Sequence, residues 1–304
     1  MSYIVQKAVQ MNTVAGARAT ATFSKPLTTG NCIVVAACAV DVGAAVGADG
    51  NGDAYGSISD TQGHTFHSWF LAGPNYSNIR IYKDSANHAT FWSGIYIVSP
   101  HYSDFLPGGA DTVTFDFTPI SVASNCQVGL VAYEVYGLDG PLGLDGAFGA
   151  EAWRVAGVSN IFPVATGMTG ELVWSGTPYG AFLVECGMAL TNDGSTLTSP
   201  SAPTTDGSWN LDGAAAASIG GSHCTIGVQS MLSSVLSDPA GPDLSFGPPN
   251  SGLTWGMSGS QFFLTSLPAP PPPPVSFGGG DSWRAYALYQ QQVLMQKRVI
   301  KSRG

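Results

Sequence analysis

The chain has 304 residues, a formal net charge of -9, and 10% charged side chains against 44% hydrophobic ones. So apolar a composition excludes global disorder, and the length fits one large all-β domain or two ordinary ones. Residues 1–280 carry six basic side chains against nineteen acidic ones, a net of -13, which excludes phosphate-led nucleic-acid binding by that part.

The N-terminal residues Met1 to Lys7 include no apolar stretch of the signal-peptide kind, and no apolar run approaches 18 residues. Neither a Sec-type leader nor a membrane span is expected. Short β-branched and aromatic runs then follow one another. They include Ala19 to Phe23, Cys32 to Ala36, Ile79 to Tyr82, Thr90 to Val98, Thr112 to Phe117 and Gln127 to Tyr136. Later runs cover Glu171 to Trp174, Ala181 to Glu185, Thr225 to Met231 and Gln261 to Leu264. Turn signals such as Thr29-Gly30-Asn31, Asn192-Asp193-Gly194 and Pro248-Pro249-Asn250 separate them. Helical periodicity is absent before Asp281. The predicted fold is all-β, an antiparallel β-sandwich of the jelly-roll kind over residues 1–266.

Asp49-Gly50-Asn51-Gly52-Asp53 through Asp60 resembles a Ca²⁺ loop. Oxygen donors at alternate positions can wrap one hard cation, with a distal carboxylate closing the cage. Asp49, Asn51, Asp53 and Asp60 are therefore the candidate Ca²⁺ ligands, although the sixth position is Ala54 and the flanks are not helical; the competing reading is an ordinary Asn-Gly and Asp-Gly turn. His64 and His67 stand three apart, which on a strand puts them on opposite faces and suits a turn or surface role better than chelation. Glu134 and Glu185 lie mid-strand among apolar residues. A jelly-roll glycoside hydrolase would face two such carboxylates across a cleft; the competing reading is structural. Trp69, Tyr76, Tyr102, Trp153, Trp174 and Trp209 could form a sugar platform or could fill the core.

Five cysteines, Cys32, Cys38, Cys126, Cys186 and Cys224, are odd in number and sit mostly in apolar runs. Free buried thiols are expected, in keeping with folding in a reducing cytoplasm.

The chain changes character at Leu267. A Pro-rich run to Pro274 extends as a polyproline II strut of roughly 20 Å, and Gly278-Gly279-Gly280 makes a swivel. Residues 267–280 are thus a linker, and 281–304 are a predicted basic amphipathic α-helix capped at Asp281 or Ser282. Trp283, Tyr286, Leu288, Tyr289 and Val293 supply apolar anchors. Lys297 and Arg298 head its basic end, where the helix dipole favours cations. Such a segment reads as an attachment hook for a partner groove.

Leu27 to Val35, Ile58 to Phe66, Gly109 to Phe115, Val131 to Leu138 and Gly170 to Val173 together resemble the ordered motifs of an uncharacterised family of phage and bacterial β-sandwich modules. His64 departs from the usual Asn of that family. The resemblance implies a non-enzymatic virion structural protein, a capsid decoration or tail-associated module folded in the host cytoplasm. It also implies capsid, portal or tail proteins as partners and a homo-oligomeric trimer or ring. A carbohydrate-binding or adhesion module is the alternative, and the glycoside hydrolase a weaker one.

Overall fold

The computed structural model describes residues 3–43, 55–66, 79–84, 89–98, 110–119, 121–138, 152–157, 181–191, 197–199, 207–233, 245–246 and 252–263. Among them run fifteen strands. The first eight are β1 (Tyr3–Met11), β2 (Arg18–Thr22), β3 (Cys32–Val42), β4 (Tyr55–Asp60), β5 (Ile79–Asp84), β6 (Ala89–Val98), β7 (Thr112–Thr118) and β8 (Cys126–Tyr136). The rest are β9 (Ala152–Gly157), β10 (Ala181–Thr191), β11 (Leu197–Ser199), β12 (Asn210–Ile219), β13 (Ser222–Ser233), β14 (Ser245–Phe246) and β15 (Gly252–Phe263).

The strands form a five-stranded sheet β1-β8-β3-β6-β5, a second β12-β13-β10-β15-β9, a three-stranded sheet β2-β7-β4, and a two-stranded ribbon β11-β14. All pairings are antiparallel.

The β1-β8-β3-β6-β5 sheet lies between the other two large ones, and strand periodicity shows it. Side chains alternate between the faces of a strand. Val34, Ala36, Cys38 and Val40 of β3 pack with Phe182, Val184, Cys186 and Met188 of β10 in one core. The alternate residues Ile33, Val35, Ala37 and Ala39 pack with Val113, Phe115 and Phe117 of β7 in another. A sheet covered on both faces needs strands that are apolar throughout rather than alternating. β3, β6 and β8 meet that need, with nearly every residue buried. β2 and β7 cover the sheet on one side only, so they alternate between exposed or half-buried and buried residues.

Two turns fix local geometry. Asn31 N–H donates to Thr28 O at 3.2 Å, and Gly30 takes the positive φ of 93° that this turn needs. Gly220 and Gly221, at φ 57° and 84°, close the β12–β13 hairpin in two residues.

The expected fold needs correction in two respects. Three stacked sheets, none closed into a barrel, replace the two-layer, jelly-roll-like sandwich. The physical reason is the second apolar face of the central strands, which recruits a third layer. Among the described residues the only helix is a 3₁₀ turn at Ala123–Asn125, so a short α-helix is not part of the observed fold. The helix expected over 281–304, and the linker before it, lie outside the described residues.

Candidate functional site

Burying a carboxylate in a β-core is costly unless hydrogen bonds or charges compensate it. Among the described residues, five sets of buried polar groups supply such compensation in whole or in part, and each ties separate chain segments together.

Glu134, on β8, points to the side of the central sheet that faces β2 and β7, in series with Cys126, Val128, Leu130 and Ala132. Its Oε1 accepts from Thr28 N–H at 2.8 Å and Asn31 Nδ2 at 2.5 Å, and its Oε2 from Gln6 Nε2 at 2.7 Å. Glu185, on β10, points away from the central sheet, because Val184 and Cys186 beside it face inward. It accepts from Gln229 Nε2. Packed sheets stand about 10 Å apart, and these two carboxylates lie on the far sides of two such sheets. Both are fully buried. They share no cleft, so the arrangement of a glycosidase pair is not formed.

Asp41 accepts from Ser121 N–H at 3.1 Å, from Ser121 Oγ, and from Cys126 Sγ at 3.7 Å. Asp212, on β12, joins the two large sheets. Its Oδ2 accepts from Tyr133 Oη at 2.7 Å and Ser230 Oγ at 2.5 Å, and its Oδ1 from Lys7 Nζ at 2.8 Å. Burial first, then the Asp212 charge, pushes the Tyr133 phenol well above its ordinary value, so it stays a proton donor. Tyr133→Phe orphans one acceptor site and should cost about 1–2 kcal/mol in urea unfolding. Lys7 is half-exposed, so Lys7→Ala should cost less than about 1 kcal/mol.

Beside this cluster a groove of about 470 Å³ runs along β1 and β12, lined by residues including Gln6, Lys7, Trp209 and Asn210. Trp209 is 3% exposed and packs on Leu183 and Met231, so its ring is core rather than sugar platform. The structure describes no side chain of Trp69, Tyr76, Tyr102, Trp153 or Trp174.

The fifth set is the most compact. β4 ends at Asp60, the chain turns through Thr61 and Gly63 (φ 75°), and His64 comes back under the strand end. Asp60 Oδ1 accepts His64 N–H at 2.9 Å, and Asp60 Oδ2 bonds His64 Nδ1. Asp111, just before β7, brings its Oδ2 to 3.8 Å from His64 Nδ1, while its Oδ1 accepts from Thr61 Oγ1 at 2.9 Å. All three side chains are sealed from solvent. Burial and then the neighbouring Asp60 raise the Asp111 carboxyl to about 6.

Of the four candidate Ca²⁺ ligands, Asp49, Asn51 and Asp53 lie outside the described residues, and Asp60 is turned to His64 and Asp111. The hook residues Trp283, Tyr286, Leu288, Tyr289, Val293, Lys297 and Arg298 also lie outside. Sequence reading placed His64 at a turn but missed Asp111, because its 47-residue separation from His64 leaves no spacing signal. Asp41, Asp212 and Gln229 were missed for the same reason.

The cysteines match expectation: all five are free and buried. Burial pushes the Cys224 thiol up to about 12, and burial together with Asp41 raises Cys126 further. Thiolate is the reactive form. Native protein at pH 8 should therefore resist a thiol-specific aromatic disulfide reagent, with all five groups reacting after denaturation.

Comparison of the chain with protein-family models, curated proteins and solved structures returns no match. The family resemblance seen in the motifs, and the virion and capsid-decoration assignments drawn from it, find no support there. No helix among the described residues is long and apolar enough to cross a membrane.

Proposed function

We propose that the chain is a non-enzymatic structural protein that works by packing against other proteins in a larger assembly. The outer face of the β2-β7-β4 sheet carries this reading. Thr20 of β2, Thr114 of β7 and Ser59 of β4 lie in one cross-strand row, and Thr22 and Thr112 lie in the next. Thr20, Thr22 and Ser59 are exposed, and Thr112 and Thr114 are half-buried. Rows of hydroxyls thus repeat at about 4.8 Å across strands and about 7 Å along them. The charges on this face are the Arg18–Asp116 pair, which neutralise each other at 2.5 Å. Apart from that pair the described residues of the face are uncharged hydroxyl side chains, and protein interfaces carry little unpaired charge at their centres.

A phage particle is the assembly that the motif resemblance suggests, with its capsid, portal or tail proteins as partners, the virion as location and a trimer or ring of copies. In this reading the C-terminal segment is the anchor. Its apolar residues Trp283, Tyr286, Leu288, Tyr289 and Val293 enter a partner groove, and Lys297 and Arg298 meet an acidic surface.

The test compares incorporation into sedimenting particles for three proteins: the full chain, a deletion of 281–304, and Thr20→Lys/Thr114→Lys. Both variants should lose most of their incorporation. Normal copy number in both sinks the proposal. Saturable binding of the chain to immobilised glycans, without incorporation, would favour an adhesion module instead.

A further inference from the structure

We propose that Asp60, His64 and Asp111 bind one Zn²⁺ ion, which clasps the turn after β4 to the start of β7. This site is independent of the assembly reading above.

The donor atoms come first. One imidazole nitrogen and one oxygen from each carboxylate all lie within 4.8 Å of one another. Ligands of a tetrahedral zinc stand about 2.1 Å from the ion, and so roughly 3.4 Å from each other. His64 Nδ1 and Asp111 Oδ2, at 3.8 Å, are close to that separation. His64 and Asp60 are nearer, at hydrogen-bond contact, and move apart when an ion takes the place of the proton between them. That exchange balances: Zn²⁺ binds, the proton of the Asp60–His64 bond leaves to solvent, and no electron moves.

A second observation points to a ligand. Asp111 is fully buried, and its Oδ2 faces into the cluster without accepting a hydrogen bond. A buried acceptor of this kind is costly to leave so. Charge points the same way. Two carboxylates face one imidazole, and among the described residues no Lys or Arg forms an ion pair with them. A divalent cation restores balance where one imidazole cannot.

The donor set narrows the metal to one class, and Zn²⁺ is the ion proposed within it. One nitrogen and two carboxylates suit a first-row transition ion, whereas Ca²⁺ and Mg²⁺ prefer oxygen alone. The outer bonds are in place as well. Asp60 Oδ1 is held by His64 N–H, and Asp111 Oδ1 by Thr61 Oγ1, which itself accepts Thr112 N–H at 3.1 Å. Such supports orient metal ligands. Thr61 and Gly63 are exposed, so the cluster lies one layer beneath solvent.

The test uses the full chain, stripped with EDTA and dialysed. Native mass spectrometry with added Zn²⁺ should show one ion per chain. The melting temperature should rise by about 5–10 °C at a hundredfold excess over Kd. Ca²⁺ and Mg²⁺ at equal concentration should leave it unchanged. Asp111→Asn and His64→Asn should each abolish the bound ion. No bound zinc in the wild-type chain, or retention of the ion by both variants, overturns the proposal. Should the variants not fold, Co²⁺ in the wild-type chain decides. Visible bands of a nitrogen–oxygen site support the assignment, while a thiolate charge-transfer band would place the ion on cysteines and overturn it.

Discussion

Replacing Glu134 by alanine should lower the unfolding free energy by about 3–5 kcal/mol, a large share of what a domain has. The carboxylate is fully buried and takes three hydrogen bonds from Thr28, Asn31 and Gln6. Gln6 also grips the next segment, donating to Lys25 O at 3.0 Å and accepting from Lys25 N–H at 3.1 Å. One side chain therefore joins β1, the turn before β3 and the C-terminal end of β8. Alanine leaves three donors without their acceptor, each worth about 1–3 kcal/mol when buried, and opens a cavity as well. Glu134→Gln keeps the shape and one acceptor oxygen, so its loss should be smaller. Urea unfolding of the three proteins at pH 7 measures the difference. A loss below about 1 kcal/mol for the alanine variant would mean that the network forms without holding the layers together.

Trp92→Ala should cost a similar amount, about 3–5 kcal/mol, for a different reason. Trp92 is 1% exposed and lies between the central sheet and the β2-β7-β4 layer. It stacks on Phe115 at 5.0 Å between ring centroids and meets Phe117 at 6.0 Å. Two glycines make room for the ring. A Cβ on Gly56 would meet the Trp92 ring and come to 2.7 Å from Phe115, and one on Gly94 would come to 2.7 Å from Trp92. Gly56→Ala should therefore destabilise by about 1–3 kcal/mol in the wild-type background. In the Trp92→Ala background the two closest contacts are gone and Phe115 can move into the space the ring vacates, so the cost should fall. That coupling, read from a double-mutant cycle, distinguishes steric contact with the ring from an effect of the substitution on the strand backbone alone. Additive costs would contradict the packing described here.

Most strands of the body were legible in the sequence. β-Branched runs such as Cys32 to Ala36 and alternating ones such as Thr112 to Phe117 announce themselves locally. The alternation of β7 also shows which of its residues are core. β12 was not legible, because Asp212 to Ala217 is poor in strand-forming side chains. The Gly220-Gly221 turn and pairing to β13 hold it in the sheet. The number of layers was not legible either. Continuous apolar runs in β3 and β8 carried the signal of a sheet covered twice, but a run of that kind does not show by itself which segments cover the second face. The polar clusters depend on cross-strand register between distant segments. His64 to Asp111 and Lys7 to Asp212 are joined by topology alone, so only their separate residues could be seen beforehand.

The proposed role of the chain, as a stoichiometric part of a larger protein assembly, can be tested without any variant. Density-gradient sedimentation of cell lysates that contain the chain in its native genetic setting, with each fraction quantified by mass spectrometry, tests it most directly. The account predicts that the chain travels with a fast-sedimenting particle, at a fixed ratio to the major protein of that particle, across the whole peak. A chain found only at the position of its free monomer, with none in any particle fraction, would contradict it.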